Sequence, residues 1–153
     1  MKHFKKATNK PLGELLVERG MISREDLEMA LNYQKEKGGL LGEVLVGLKF
    51  VMEEGIAQAL TCQYGFPYLP LSNYEIDPDV ISTVQENVCR QFCLIPIDKI
   101  GKSLTMAMAD PLNVQAIEDV ELITGCAVQT FVSTPTDIKN SIDKYYKTKS
   151  CFP

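Results

Sequence analysis

From Leu12 onward the apolar positions recur at helical spacing. Leu12, Leu15 and Leu16 share one face, and Gly20, a residue that tolerates positive φ, ends that stretch. Ser23 then opens a second stretch, with Asp26 three positions on in the manner of a capping box. Leu27, Ala30, Leu31 and Gln34 form its i, i+3, i+4, i+7 stripe. After the glycine-bearing joint "KEKGG", the pattern returns 29 positions later, Leu41 to Gln63 repeating Leu12 to Gln34. Leu12, Gly13, Glu14, Leu16, Val17, Glu25, Ala30, Leu31 and Gln34 all recur in register without a gap, which makes this a duplicated helical hairpin. The second copy is less regular, with Lys49 standing where the first has Gly20 and Met52 where it has Ser23.

Beyond Gln63 the period changes. "YGFPYLPLSNYEIDPDV" holds Pro67, Pro70 and Pro78 and reads as a linker with an extended segment. A helix over 79–88 is expected next. "FCLIPIDKIGKSLTMAMADP" reads as a β-hairpin turning at Gly101, with Met106 and Met108 in the core. Asn113 caps a helix that stops at Gly125, "AVQTFVS" is a strand, and Thr134-Pro135 starts a last helix bearing Ile138, Ile142 and Tyr145. The expected class is α+β: a helical subdomain of two tandem hairpins over residues 1–66, then a small α/β sandwich over 67–153.

Composition narrows the function. The chain has 153 residues, and none of its apolar runs reaches the ~20 residues that span a bilayer. The start "MKHFKKATNK" lacks the apolar stretch of a secretory signal, so direct membrane insertion is not expected and a cytoplasmic location is. Net charge is −4, all of it carried by residues 75–153, and no basic stripe marks a nucleic-acid binder. Lys2, Lys5, Lys6 and Lys10 read as a solvated tail. Five cysteines without a Cys-x-x-Cys pair, and His3 as the only histidine, give no metal set; the thiols are expected to be reduced and buried or half-buried. "GKS" at Gly101–Ser103 resembles the end of a phosphate-binding loop, but Pro96 stands where its first glycine belongs. No catalytic constellation is present in motif context, so neither an enzyme nor a cofactor is expected.

The repeated residues leave two readings open. Gln34 and Gln63 each sit on an apolar stripe, where a buried amide is costly unless bonded. Either each bonds backbone at its helix end, or both face a ligand groove. Gly13 and Gly42 either permit close packing or bare the N–H groups of a first helical turn to an anion.

Two tandem Leu-Gly…Gln units, then "QYGFPYL", then "LIPI…LTMAMADPLN" resemble the N-terminal domain of type II secretion and type IV pilus assembly ATPases, called MshEN or GspE N-terminal. The resemblance covers about residues 10–147. It implies a non-catalytic regulatory or adaptor domain that binds cyclic di-GMP through the two motifs. Leu12, Gly13, Leu16, Gln34, Leu41, Gly42, Glu43, Leu45 and Gln63 would line that site, and Asp110 would approach one guanine. The chain departs from the pattern at Pro11, where the first motif has arginine, and at Lys49, where the second has glycine. Those departures sustain the alternative, a docking module with a degenerate nucleotide site whose partner is an inner-membrane assembly protein or a secretion or pilus ATPase. The closing "SCFP" reads as the end of a free-standing relative, with a fragment of a longer ATPase as the other reading.

Overall fold

The computed structural model describes residues 12–150, with side chains through Tyr146. The readings that involve His3, Pro11, the four N-terminal lysines and Cys151 lie outside the described residues. The chain divides into two compact units, one ending at Gly65 and one beginning at Phe66.

The first unit consists of helices α1 (Leu12–Glu18), α2 (Arg24–Lys37), α3 (Leu41–Gly47) and α4 (Glu53–Tyr64). Its core is the repeated stripe: Leu15, Leu16, Leu27, Ala30, Leu45, Ile56, Ala59 and Leu60 are buried. Duplication extends to the backbone. Gly20 donates to Val17 O and Met21 to Leu16 O; in the second copy Lys49 donates to Val46 O and Phe50 to Leu45 O. Each pair closes its helix in the same two-bond termination, which requires a left-handed residue. Gly20 takes φ +76°, and Lys49 takes φ +67° in its place. Ser23 caps α2 with a complete capping box, its side chain accepting from Asp26 N and the Asp26 carboxylate accepting from Ser23 N. Met52 holds the same position before α4 with no side-chain cap. One expectation for the stripe fails: Leu31 is 40% exposed, whereas its counterpart Leu60 is fully buried.

The second unit has a three-stranded sheet of β1 (Leu94–Ile100), β2 (Ser103–Met108) and β3 (Ala127–Val132), in the order β1-β2-β3. β1 and β2 form the antiparallel hairpin, while β2 and β3 run parallel. The parallel step demands a crossover, supplied by α7 (Val114–Thr124), which is capped by Asn113 and ended by Gly125 at φ +72°. The register of β1 shifts between Pro96 and Asp98, as suits a proline-bearing edge strand. Met106 and Met108 are fully buried. The last helix, α8 (Pro135–Ser150), packs Ile138, Ile142 and Tyr146 inward.

The helix expected over 79–88 is instead two short ones, α5 (Pro78–Ile81) and α6 (Glu86–Phe92). The break has a local cause. Ser82 and Thr83 turn their hydroxyls onto the carbonyls of Asp79 and Val80. The hydroxyl of Tyr146 lies 2.9 Å from Ile81 O and 2.7 Å from Val84 O, so carbonyls that a continuing helix would use are held by α8.

Candidate functional site

The two Leu-Gly pairs meet inside the first unit. A Cβ on Gly13 would stand 3.3 Å from Leu41 Cδ2, and one on Gly42 would stand 3.5 Å from Leu12 Cδ2. Each leucine thus lies over the other copy's glycine, a reciprocal arrangement that puts the first turns of α1 and α3 side by side. The two glycines are not equivalent, however. A Cβ on Gly13 would come within 2.4 Å of Leu27 Cδ1, so any larger residue there would have to displace the buried Leu27 side chain between α1 and α2. Around Gly42 the nearest contacts are at ordinary van der Waals distance.

The remaining motif residues separate by exposure. Leu12, Gly13, Leu16 and Leu45 are buried in the unit's core. Leu41, Gly42 and Glu43 are half-buried along α3. Gln34 is half-buried at the end of α2 and donates Nε2 to Gly39 O at 2.9 Å, bracing the glycine turn between the hairpins. Gln63 is exposed. The two glutamines therefore stand in different surroundings despite their identical positions in the repeat.

Asp110 belongs to the second unit, in the segment between β2 and α7. Its Oδ1 accepts from Leu112 N at 3.1 Å, and its carbonyl oxygen accepts from Asn113 N at 3.0 Å. Burial pushes the carboxyl up to about 6, against the opposing pull of the Leu112 N–H.

Some features carried no sequence signal. Glu14 accepts from Arg24 Nη1 and Nη2, each at 3.0 Å, an exposed fork that the second copy cannot repeat because Glu53 stands in the arginine's place. An open groove of about 230 Å³ lies between the end of α2 and α3, lined by Tyr33, Gly38, Gly39, Glu43, Val44, Gly47 and Leu48. In the second unit the Cys89 thiol lies 3.3 Å from the Tyr146 hydroxyl and is pushed up to about 11 by burial, which makes it inert. Cys89, Cys93 and Cys126 are buried as expected for free thiols, but Cys62 is exposed. Among the described residues no group of three or more His, Cys, Asp or Glu side chains is placed to hold a metal ion. No described helix is long and apolar enough to cross a membrane.

Comparison with known proteins sets these features in a family. Residues 64–150 match the MshEN domain. The type IV pilus assembly ATPase PilB of Myxococcus xanthus is 34% identical over 138 residues, which are 90% of this chain and 24% of that protein. The chain spans about a quarter or less of the first curated relatives it matches. Among solved structures, that of MshE with cdg superposes with a TM-score of 0.67 at 32% identity, covering 90% of this chain and 99% of that one. The N-terminal domain of XpsE superposes with a TM-score of 0.72 at 25% identity, covering 91% and 95%. The α+β class read from the pattern agrees with these neighbours, and the similarity to MshE runs through the duplicated hairpins as well as the sheet unit. The chain belongs to the MshEN domain family.

Proposed function

We propose that this chain is a non-catalytic regulatory module of a type IV pilus or type II secretion ATPase system, working on the cytoplasmic side. Its duplicated hairpins bind cyclic di-GMP, the molecule we take the "cdg" of the MshE structure to be. The observation that carries this reading is the reciprocal Leu-Gly contact, which sets two first helical turns side by side under a pseudo-two-fold relation. A ligand built of two equal halves, each with a phosphate and a guanine, matches such a pair: backbone N–H groups meet phosphate, and side-chain amides and carboxylates meet base edges. Leu41, Gly42, Glu43 and Gln63 have surface to offer a ligand, and Gln34 has some beyond its bond to Gly39. Leu12, Gly13, Leu16 and Leu45 act beneath them, as the packing that sets the spacing of the two turns. Asp110, in the second unit, enters the proposal as the residue to vary for guanine recognition.

A second reading is favoured by specific contacts. Gln34 is engaged with Gly39 O, and the space at Gly13 is filled by Leu27. Both support a unit whose repeat survives as scaffold, with the module docking onto an inner-membrane assembly protein or a partner ATPase. Calorimetric titration with cyclic di-GMP at physiological salt separates the two. Saturable one-to-one binding at micromolar or lower concentration supports the nucleotide reading. Absence of heat at high ligand concentration leaves docking as the function.

A further inference from the structure

The exposed large apolar side chains described in the second unit are Tyr68, Ile100, Leu122 and Ile123. The last three gather at one end of its sheet. Ile100 closes β1 just before the turn at Gly101, and its ladder partner Ser103 pairs on the other side with Ala127, the first residue of β3. Leu122 and Ile123 lie in the last turn of α7, which is tied to the same end of β3 because Glu121 Oε2 accepts from Val128 N at 3.1 Å. Exposed by 74%, 83% and 58%, Ile100, Leu122 and Ile123 form a surface patch rather than a margin of the core.

Charge divides across this patch. On the hairpin side Lys99 and Lys102 are exposed and Asp98 offsets one of them, two lysines against one aspartate for a net of +1. On the helix side stand the carboxylates of Glu118, Asp119 and Glu121, and the last turn of α7 holds no basic residue. Asp119 and Glu121 bond neutral donors, Gln115 Nε2 and Val128 N, so their charge stays in place. The carbonyl end of the helix adds to it. We propose that this end of the second unit associates with the same end of a second copy of the chain, about a two-fold axis through the three aliphatic side chains. Such an axis sets the hairpin of each copy against α7 of the other, so lysines face carboxylates twice while the apolar centres meet. Attraction of this kind requires charge, not a vacant hydrogen bond. An anionic bilayer would attract the lysines but repel the helix side, so a second copy fits the patch better. The pairing is independent of nucleotide binding by the hairpins, and its test contains no nucleotide.

The test is sedimentation velocity of the purified chain at rising concentration. The expected result is a reversible monomer–dimer equilibrium with a dissociation constant on the order of 0.1 mM, because a patch of roughly a few hundred Å² lies well below the ~800 Å² per partner of a stable interface. Leu122→Ser and Ile100→Ser should each weaken association about tenfold or more. The double variant Lys99→Glu with Lys102→Glu should weaken it about threefold or more, as should raising salt from about 0.05 to 0.5 M. All four positions are exposed, so the variants should keep the fold, which far-UV circular dichroism verifies. A chain that stays monomeric up to about 1 mM would overturn the proposal. So would growth beyond a dimer, which a closed two-fold pair excludes, or a dimer untouched by Leu122→Ser and Ile100→Ser or by the double lysine variant. Cosedimentation with vesicles of phosphatidylglycerol and phosphatidylcholine that is lost in Ile100→Ser would overturn it in favour of a lipid surface.

Discussion

Gly13 and Gly42 occupy the same place in the repeat, yet the structure asks different things of them. A methyl at Gly13 collides with Leu27, which is itself buried, so Gly13→Ala should destabilise the chain by ~1–3 kcal/mol. Gly42→Ala meets only ordinary contacts and gains helix propensity, so it should be neutral or stabilising by up to ~1 kcal/mol. Urea unfolding of the two variants checks the contrast, and equal losses would mean that the repeat is more symmetric than drawn. If Gly42 also bares backbone to a phosphate, its alanine variant should lose cyclic di-GMP affinity while keeping its stability. Lys49 gives a second residue-level case. It holds φ +67° where the first copy has glycine, at a helix end that needs the left-handed conformation. Lys49→Gly should therefore stabilise by ~1 kcal/mol, read as a higher denaturation midpoint; a lower midpoint would mean that the lysine side chain holds the turn. The chain's pattern showed that glycine was missing at position 49 but not that the backbone keeps its path without it. The backbone bonds to Val46 and Leu45 carbonyls decide that.

Among the elements, α2 and α4 are copies with unequal ends. Ser23 satisfies an otherwise unpaired N–H of α2, whereas Met52 supplies no side-chain cap to α4 and stands exposed. Met52→Ser should raise stability by ~0.5–1 kcal/mol with little loss of packing, measurable by thermal melting. The pair α5 and α6 illustrates the opposite case, in which local pattern misleads. Residues 79–88 have helical composition, but a helix through them would need carbonyls that the Tyr146 hydroxyl approaches from 62 or more positions away. Tyr146→Phe would leave Ile81 O and Val84 O unbonded in a buried place. It should cost ~1–3 kcal/mol, detectable in the same unfolding experiment.

At the scale of the whole molecule, the net charge of −4 hides a carboxyl that titrates out of range. Folding raises Asp110 from the ordinary carboxylate value to about 6, because the half-buried carboxyl loses part of the water that would solvate its ionised form. The folded state therefore binds the proton more tightly than the unfolded chain. That contribution is fully present below about pH 4, the ordinary carboxylate value, and is lost as pH rises through about 6. Relative to Asp110→Asn, which keeps an acceptor for Leu112 N, the native chain should lose ~2–3 kcal/mol of stability between these limits. Parallel denaturation curves across that interval would show it; matching pH profiles would place the carboxyl in water.

The duplicated hairpin, the capping box at Ser23, the hairpin turn at Gly101 and the α7 crossover were all legible along the chain, because each rests on periodicity or on a backbone preference of nearby residues. The family resemblance was legible for the same reason, since nine repeated residues keep their spacing whatever surrounds them. Surroundings were not legible. Leu31 and Leu60 are identical in the repeat, yet one is 40% exposed and the other buried. Gln34 and Gln63 differ likewise, one half-buried and bonded to Gly39 and the other exposed. Local sequence sets which backbone conformations are accessible. Which copy of a repeated residue faces a neighbour and which faces water depends on contacts between distant segments, and tertiary packing alone decided that here.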